Sequence, residues 1–404
     1  MLIAIVTSPS LPMDRKFWII ALVAFINSMS LTILIPIIYL YGKQFHLNDF
    51  QTSLLFAIYS ITQFLSTPVI GKLSDIYGRK PLLIISLAGT VIANFIAGTA
   101  TTAVVLFLAR FLDGITGGNN SVAQAVLSDV IPREQRAQAF GIFGAAFGLG
   151  FVIGPAISLV LQPISLGASF LASSAIAAVG LIVTMVFLPE TLVNKAEKMQ
   201  NIFDLGLETL ITGLTMPRVG ILLIINFCIG TTFTIFTYAF QPYFIYILHQ
   251  NSQSLTLLFV TFGILGLIMQ TVGIKFLMRS LSIIRILFLS LLVRGVSFLF
   301  MPVWANVTYF VAIAVIFSIF NSLVQPTITT LISLNAKAEE QGIALGLNAS
   351  YLSISNAVGP VIAGMLMNQA HPETYSHSLY VSGGLTLMVF LFAVWTRDRY
   401  NVSN

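Results

Sequence analysis

Gly71-Lys72-Leu73-Ser74-Asp75-Ile76-Tyr77-Gly78-Arg79-Lys80-Pro81 lies between two long apolar runs that carry no charge of their own. Within this stretch, Lys72, Arg79 and Lys80 accompany one carboxylate, two glycines and a proline. Gly71 lets one helix end approach a neighbour closely, Gly78 permits the backbone of a sharp turn, and Pro81 suits the first position of the following helix. Asp75 is expected to face a helix N-terminus, where a negative charge meets the positive end of the macrodipole. The cations are expected to hold the turn at the cytoplasmic surface of a membrane. The expectation is a short, rigid turn that latches packed helices together.

The surrounding composition requires a membrane. Of 404 residues, 57% are hydrophobic and 8% are charged, with a mean hydropathy of +0.95. Soluble domains carry about 25% charged residues. Spanning ~30 Å of hydrocarbon takes about 20 apolar residues per helix. The apolar runs are counted as twelve spans: 17–40, 53–72, 81–101, 103–127, 139–161, 167–188, 218–247, 254–277, 283–302, 306–333, 341–367 and 378–396. The cations orient them. All of the nineteen Lys and Arg except Lys43, Arg110 and Arg294 fall at the N-terminus, the even-to-odd loops, the central linker or the C-terminus. Both termini are therefore expected in the cytoplasm. The net charge of +5 reflects that topology, and no nucleic acid is expected as a partner.

Asn194 to Met216 interrupts the hydrophobic pattern with Lys195, Glu197, Lys198, Asp204 and Glu208. A cytoplasmic linker is expected at 194–217, with a short amphipathic helix around Ile202 to Leu210. It separates bundles of six helices at 13–193 and 218–396, with a mobile tail at 1–12 and a short one at 397–404. An internal repeat supports the division: Glu134, Gly141, Gly154 and Pro155 recur at one constant offset as Glu339, Gly346, Gly359 and Pro360. Such halves are related by an axis along the membrane normal, with substrate between them near the midplane. The fold class expected is all-α and integral to the membrane, twelve helices in two pseudo-symmetric bundles.

The pattern G-x-L-x-D-x-x-G-R-K-P, between the second and third apolar runs, resembles the signature loop of the major facilitator superfamily of transporters. The resemblance implies that the loop, through Gly71, Asp75, Gly78 and Arg79, joins a carboxylate at the end of helix 4, here Asp129, in one of two access states. Gly150, Gly154 and Pro155 match the G-x-x-x-G-P motif that marks antiporters in that family, although Ser158-Leu159 replaces its closing glycine pair. Arg110 to Gly114 matches the R-x-x-x-G motif of helix 4, and the stretch Ala109 to Asn119 is similar to that of the tetracycline-efflux-like branch. This implies a drug:proton antiporter in a bacterial inner membrane, drawing on the proton gradient, without a cofactor and monomeric.

Three residues apart, Arg110 and Asp113 share a helix face and neutralise each other inside hydrocarbon, where isolated charges are expensive. Desolvation draws Asp113 toward its neutral form and Arg110 draws it toward the carboxylate. Asp113 is therefore the expected proton carrier, with Arg110 as its partner. Against this stands Asn27, nine residues before Pro36, where the branch has an acid. Candidate cavity residues are Asn27, Gln63, Asn119, Asn120 and Gln124 in the first half and Asn226, Tyr238, Gln241, Gln325 and Asn348 in the second. With 32 Phe and 12 Tyr available, they suit a small amphipathic organic molecule. Arg294 is expected to snorkel or to make a structural contact. Cys228, the single cysteine, excludes an intramolecular disulfide and a cysteine-based metal cage. No Gly-Lys-Ser/Thr loop is present for an ATP-driven pump, and no catalytic residue or metal ligand is assigned. Two alternatives stay open at this point: an importer or facilitator of a nutrient, metabolite or siderophore on the same fold, and a membrane receptor that does not transport.

Overall fold

The computed structural model describes residues 15–132, 135–192, 207–337 and 340–400. The expected tail at 1–12, the linker at 194–206, the repeat residues Glu134 and Glu339, and residues 401–404 lie outside the described residues. Before the linker the helices are α1 (Arg15–Thr32), α2 (Ile38–Gln44), α3 (Asp49–Tyr77), α4 (Arg79–Gly98), α5 (Ala103–Ile115), α6 (Asn119–Val130), α7 (Arg136–Leu161) and α8 (Leu166–Phe187). After it come α9 (Leu207–Thr215), α10 (Val219–Pro242), α11 (Ser252–Ile268), α12 (Ile283–Phe300), α13 (Val307–Asn335), α14 (Gln341–Leu366) and α15 (Thr374–Trp395). Wider turns extend α10 through Tyr243–Ile247 and α11 through Met269–Gly273. Among the described residues the only β-structure is an isolated bridge between Asn368 and His371.

Ten helices among the described residues are long and apolar enough to cross a membrane. Two expected spans, 17–40 and 103–127, are not continuous, which corrects that reading. The first is interrupted between α1 and α2, where Pro36 has no N–H to donate to a helical ladder. The second parts at Thr116-Gly117-Gly118, between α5 and α6. A side chain at Gly117 would sit 3.0 Å from the Gly114 carbonyl and 3.1 Å from that of Asp113, a tight fit that a residue without Cβ avoids. The described part of the linker helix, α9, coincides with the expected Ile202 to Leu210 over 207–210 and runs on to Thr215. It is held under the second half by the Tyr351 hydroxyl, which donates to the Leu210 carbonyl at 2.9 Å.

Within each half, small residues let one helix pair meet backbone to backbone. Gly150 and Gly154 of α7 lie against α1, where added side chains would sit 2.7 Å from the Met29 amide and 2.8 Å from the Ile33 amide. Thr32 donates to the Gly150 carbonyl at 2.8 Å and Ser28 to that of Phe147 at 2.6 Å. The second half repeats the seam between α10 and α14: Gly359 lies against the Thr231 carbonyl, Thr234 donates to Ser355 O at 2.9 Å, and Ser355 donates to Phe227 O at 2.9 Å. A ring cluster in the second half packs Phe236 on Phe298 with centroids 4.2 Å apart, and Phe317 and Phe240 against Phe236.

The halves meet along α7 with α11 and α3 with α14. Near the far face, opposite the Gly71–Pro81 turn, the contact is close: a side chain at Gly364 of α14 would lie 2.8 Å from Ser53 Cβ of α3. Gly346 is about five helical turns earlier on the same stripe of α14, and its Cβ would meet nothing within 4 Å among the described residues. The other pair shows the same divergence. Val152 of α7 lies 3.1 Å from where a Gly263 side chain would be, whereas Gly141, about three turns back, faces open space among the described residues. The halves therefore touch at the far face and splay toward the turn.

Candidate functional site

The turn assembles as the sequence expects in one respect and differs in another. Gly78 has φ +115, a backbone state that side chains with Cβ rarely adopt, and it ends α3 and starts α4 in one residue. This swings Arg79 beneath the bundle. Its Nη1 lies 2.6 Å from Asp75 Oδ1 and donates to Ser74 Oγ at 2.7 Å, and its Nε lies 3.0 Å from Asp129 Oδ2. Asp75, Arg79 and Asp129 are thus joined across α3, α4 and α6, while a side chain at Gly71 would lie 3.8 Å from Ser121 Oγ of α6.

The carboxylate at the α4 N-terminus is Glu190 and not Asp75, which spends its charge on Arg79. Glu190 follows α8 and accepts from the amides of Arg79 at 3.0 Å and Lys80 at 3.2 Å, and also from those of Thr191 and Leu192. Burial by itself disfavours its ionised form. The amides of Leu192, Arg79, Thr191 and Lys80 outweigh that and hold the carboxyl below the usual carboxylate range. A side chain at position 78 would run into this carboxylate.

Two variants separate the parts of this assembly. Arg79→Gln leaves Asp75 and Asp129 facing one another without a cation and should lower stability by about 1–3 kcal/mol, read as a fall in the melting temperature in detergent. Glu190→Gln should cost less, and its cost should depend on pH. Because the folded value is depressed, the carboxylate's contribution is complete above the usual carboxylate range and is lost as pH falls through the lowered value. The melting difference from wild type should therefore shrink below about pH 4.

At mid-height in the first half lies a second polar cluster. Arg110 and Asp113 are each 5% exposed, with Nη1 2.9 Å from Oδ2. The guanidinium lies over the Tyr59 ring of α3, 4.2 Å from its centroid, and its Nε is buried without a hydrogen-bond partner among the described residues. Gln63, one turn on from Tyr59, donates to the Tyr59 hydroxyl at 3.0 Å and to the Gly117 carbonyl at 3.2 Å. Asn119 opens α6 and donates to Asn27 of α1 at 2.8 Å and to Thr90 of α4 at 3.3 Å. Thr90 also lies beside Asp113. Asn27, Thr90, Asn119, Asp113 and Arg110 therefore form one polar chain across α1, α4, α5 and α6. The break between α5 and α6 puts Asp113 and Asn119 at facing helix ends.

In the second half Asn226, Gln325 and Asn348 come together. Asn226 donates to Asn348 at 2.6 Å and accepts from Gln325 at 3.1 Å, tying α10, α13 and α14. The other candidates are dispersed. Asn120 and Gln124 are exposed one turn apart on α6. Gln241 is fully buried and bonds within α10. Tyr238 is 1% exposed and donates to the main-chain carbonyl of Asp49 at the far face, so it does not join the other amides. Arg294 does not snorkel. It is 1% exposed, donates to the Ile229 carbonyl at 2.7 Å and to Thr232 at 2.8 Å, and has no carboxylate partner among the described residues. Cys228 is partly buried and free.

The profile of the Major Facilitator Superfamily matches residues 20–203 and 222–403. This chain belongs to the major facilitator superfamily. Over 399 residues this facilitator is 25% identical to the class H tetracycline resistance protein of Pasteurella multocida, covering 96% of each chain. It is 26% identical over 346 residues to multidrug resistance protein 1 of Bacillus subtilis strain 168, covering 85% of this chain and 87% of the relative. Its fold superposes on that of the human organic anion transporter TETRAN with a TM-score of 0.71 at 20% identity, over 95% of this chain and 100% of the other. The protein is a multi-pass membrane transporter and not an enzyme.

Tyr59, Thr90, Glu190 and Asp49 take part in these clusters and were not anticipated. Glu190 had a visible signal: Leu188-Pro189-Glu190-Thr191 ends an apolar run with an acid in a chain poor in acids. Asp49 had another, since Asn48 and Gln51 form a capping box that starts α3 before residue 53.

Proposed function

We propose that this transporter exports a small amphipathic organic compound by alternating access, in exchange for protons, from the cytoplasm across a bacterial inner membrane. The observation that carries the proposal is the buried Arg110–Asp113 pair set in an amide-lined chain in the middle of the first half. It is an ionisable group at the depth where substrate and coupling ion meet in such folds. The names of its relatives, tetracycline and multidrug resistance proteins, supply the substrate class. The cation-rich turn face is placed in the cytoplasm by the positive-inside rule, so the splayed halves open inward. Each proton contributes ~1.4 kcal/mol per unit of pH gradient and about 2.3 kcal/mol per 100 mV of potential. One proton sustains roughly a hundredfold gradient of a neutral solute under ordinary conditions.

Asn27 favours a second reading, because an amide at that position binds solute but carries no proton: a facilitator in which Arg110 and Asp113 stay ionised throughout. Purified protein in proteoliposomes enclosing a pH-sensitive dye decides between them. Adding a panel of amphipathic cations and zwitterions should produce compound-dependent proton movement. Solute flux with no proton movement for any member of the panel would establish the facilitator instead.

A further inference from the structure

Asp49 is the first residue of α3, at the far face, and is 2% exposed. Its surroundings divide sharply by origin. From the first half, Lys43 Nζ of α2 lies 2.6 Å from its Oδ1 and the Tyr39 hydroxyl of the same helix donates to Oδ1 at 2.7 Å. The N-terminus of its own helix, capped by Asn48, adds favourable potential. From the second half come two neutral donors. The Tyr375 hydroxyl of α15 donates to Oδ2 at 3.3 Å, and the Tyr238 hydroxyl of α10 donates to the Asp49 main-chain carbonyl. Tyr246 stacks on Tyr375 with ring centroids 5.8 Å apart. Lys43 also reaches Gln369 at 3.2 Å.

This asymmetry is what a reversible closure needs. When the halves part, the carboxylate keeps its cation, one tyrosine and its helix dipole, so no buried charge is stranded. A buried ion pair split across the seam would instead leave an uncompensated charge on each side. What parts is a set of neutral-partner bonds, the two tyrosine hydroxyls on Asp49 with Lys43 to Gln369 and Gln162 to Thr256 beside them, each worth a modest net amount. Immediately beside them, Ser53 and Gly364 are in backbone-close contact, so the same movement opens the far face.

We infer that Asp49 with Tyr238 and Tyr375 is the outer gate of this transporter, and that the two tyrosine hydroxyls set the ratio of inward-open to outward-open molecules. The inference rests on the alternating-access part of the proposed function and is independent of which solute is carried or whether protons drive it.

Spin labels at Thr101→Cys and Ala305→Cys, exposed far-face positions in opposite halves, in a Cys228→Ser background, report the opening by pulsed dipolar distance measurement without any substrate. The double variant Tyr238→Phe/Tyr375→Phe keeps both rings and should raise the far-face-open population about tenfold or more relative to wild type. Tyr243→Phe removes a buried hydroxyl that has no hydrogen-bond partner among the described residues and should leave the distribution unchanged. Independently, a membrane-impermeant maleimide added outside cells should modify Ser53→Cys faster by a similar factor in the double variant. The single Tyr375→Phe variant should shift both readouts in the same direction by less. Wild-type distances and wild-type labelling rates in the double and single Phe variants would overturn the gate. Altered distances with no compound-linked proton movement would keep the gate and remove the proton-coupled reading.

Discussion

Asp113→Asn will abolish compound-driven proton movement in proteoliposomes while leaving the protein folded and able to bind compound within a few-fold of wild type. The reason is geometric. Asparagine keeps an oxygen where Oδ2 now lies 2.9 Å from Arg110 Nη1, so the guanidinium retains an acceptor in addition to the Tyr59 ring. What disappears is the one carboxyl in this cluster that can take up and release a proton. Arg110→Ala should behave differently. It leaves Asp113, 5% exposed, without its cation, and removal of one partner from a buried pair costs about 3–5 kcal/mol. Loss of folded protein is expected there because alanine also empties the space over the Tyr59 ring, against loss of coupling with a lowered melting temperature in Asp113→Asn, where Arg110 keeps a neutral acceptor but loses its counter-charge. Full proton-driven transport by Asp113→Asn would remove Asp113 as the carrier and leave the pair as a fixed structural element.

Gly154→Leu will cost both stability and transport. The backbone of α1 lies against this position, with the Ile33 amide 2.8 Å and the Met29 carbonyl 3.0 Å from where Cβ would be. Neither can rotate away as a flexible side chain would. Overpacking at such a site costs typically about 1–3 kcal/mol and shifts backbone, and the shift would pull Thr32 from the Gly150 carbonyl that it meets at 2.8 Å. Melting temperature in detergent and export from cells should fall together. Gly141→Leu is the matched comparison, since that position faces open space among the described residues; it should be tolerated for folding. Equal stability of the two variants would show that the α1–α7 seam is looser than its distances indicate.

How much could be read in advance follows from the range of the interactions. The Gly71–Pro81 turn was legible because its conformation and its cations are local, and Gly78 alone dictates the reversal between α3 and α4. Asp129 joins Arg79 from 50 residues away, and only the family resemblance pointed to it. Glu190 stood out locally as an acid closing an apolar run, but the amide it caps is 111 residues away, so its role was not legible and was given to Asp75. The break at Thr116-Gly117-Gly118 did leave a local trace, a glycine pair followed by Asn119-Asn120, but a count of spans by length alone runs straight through it. Pairing of amides across helices, as in Asn226 with Asn348, depends on helix rotation and leaves no trace in composition. Asn27 shows the opposite: its departure from the branch pattern was visible at once, and the structure gives it a partner, Asn119.

Arg294 bears on how the chain is made. A guanidinium near the centre of a membrane helix costs about 2.5–3.5 kcal/mol when that helix inserts by itself, and α12 has no carboxylate to offset it. Its acceptors, the Ile229 carbonyl and the Thr232 hydroxyl, are 65 and 62 residues earlier in the chain. Translation delivers N-terminal segments first, so α10 has already left the ribosome when Arg294 emerges. Biogenesis of α12 is thus a docking event onto a nascent partner, and the order of the helices in the gene is part of what lets the cation enter the bilayer.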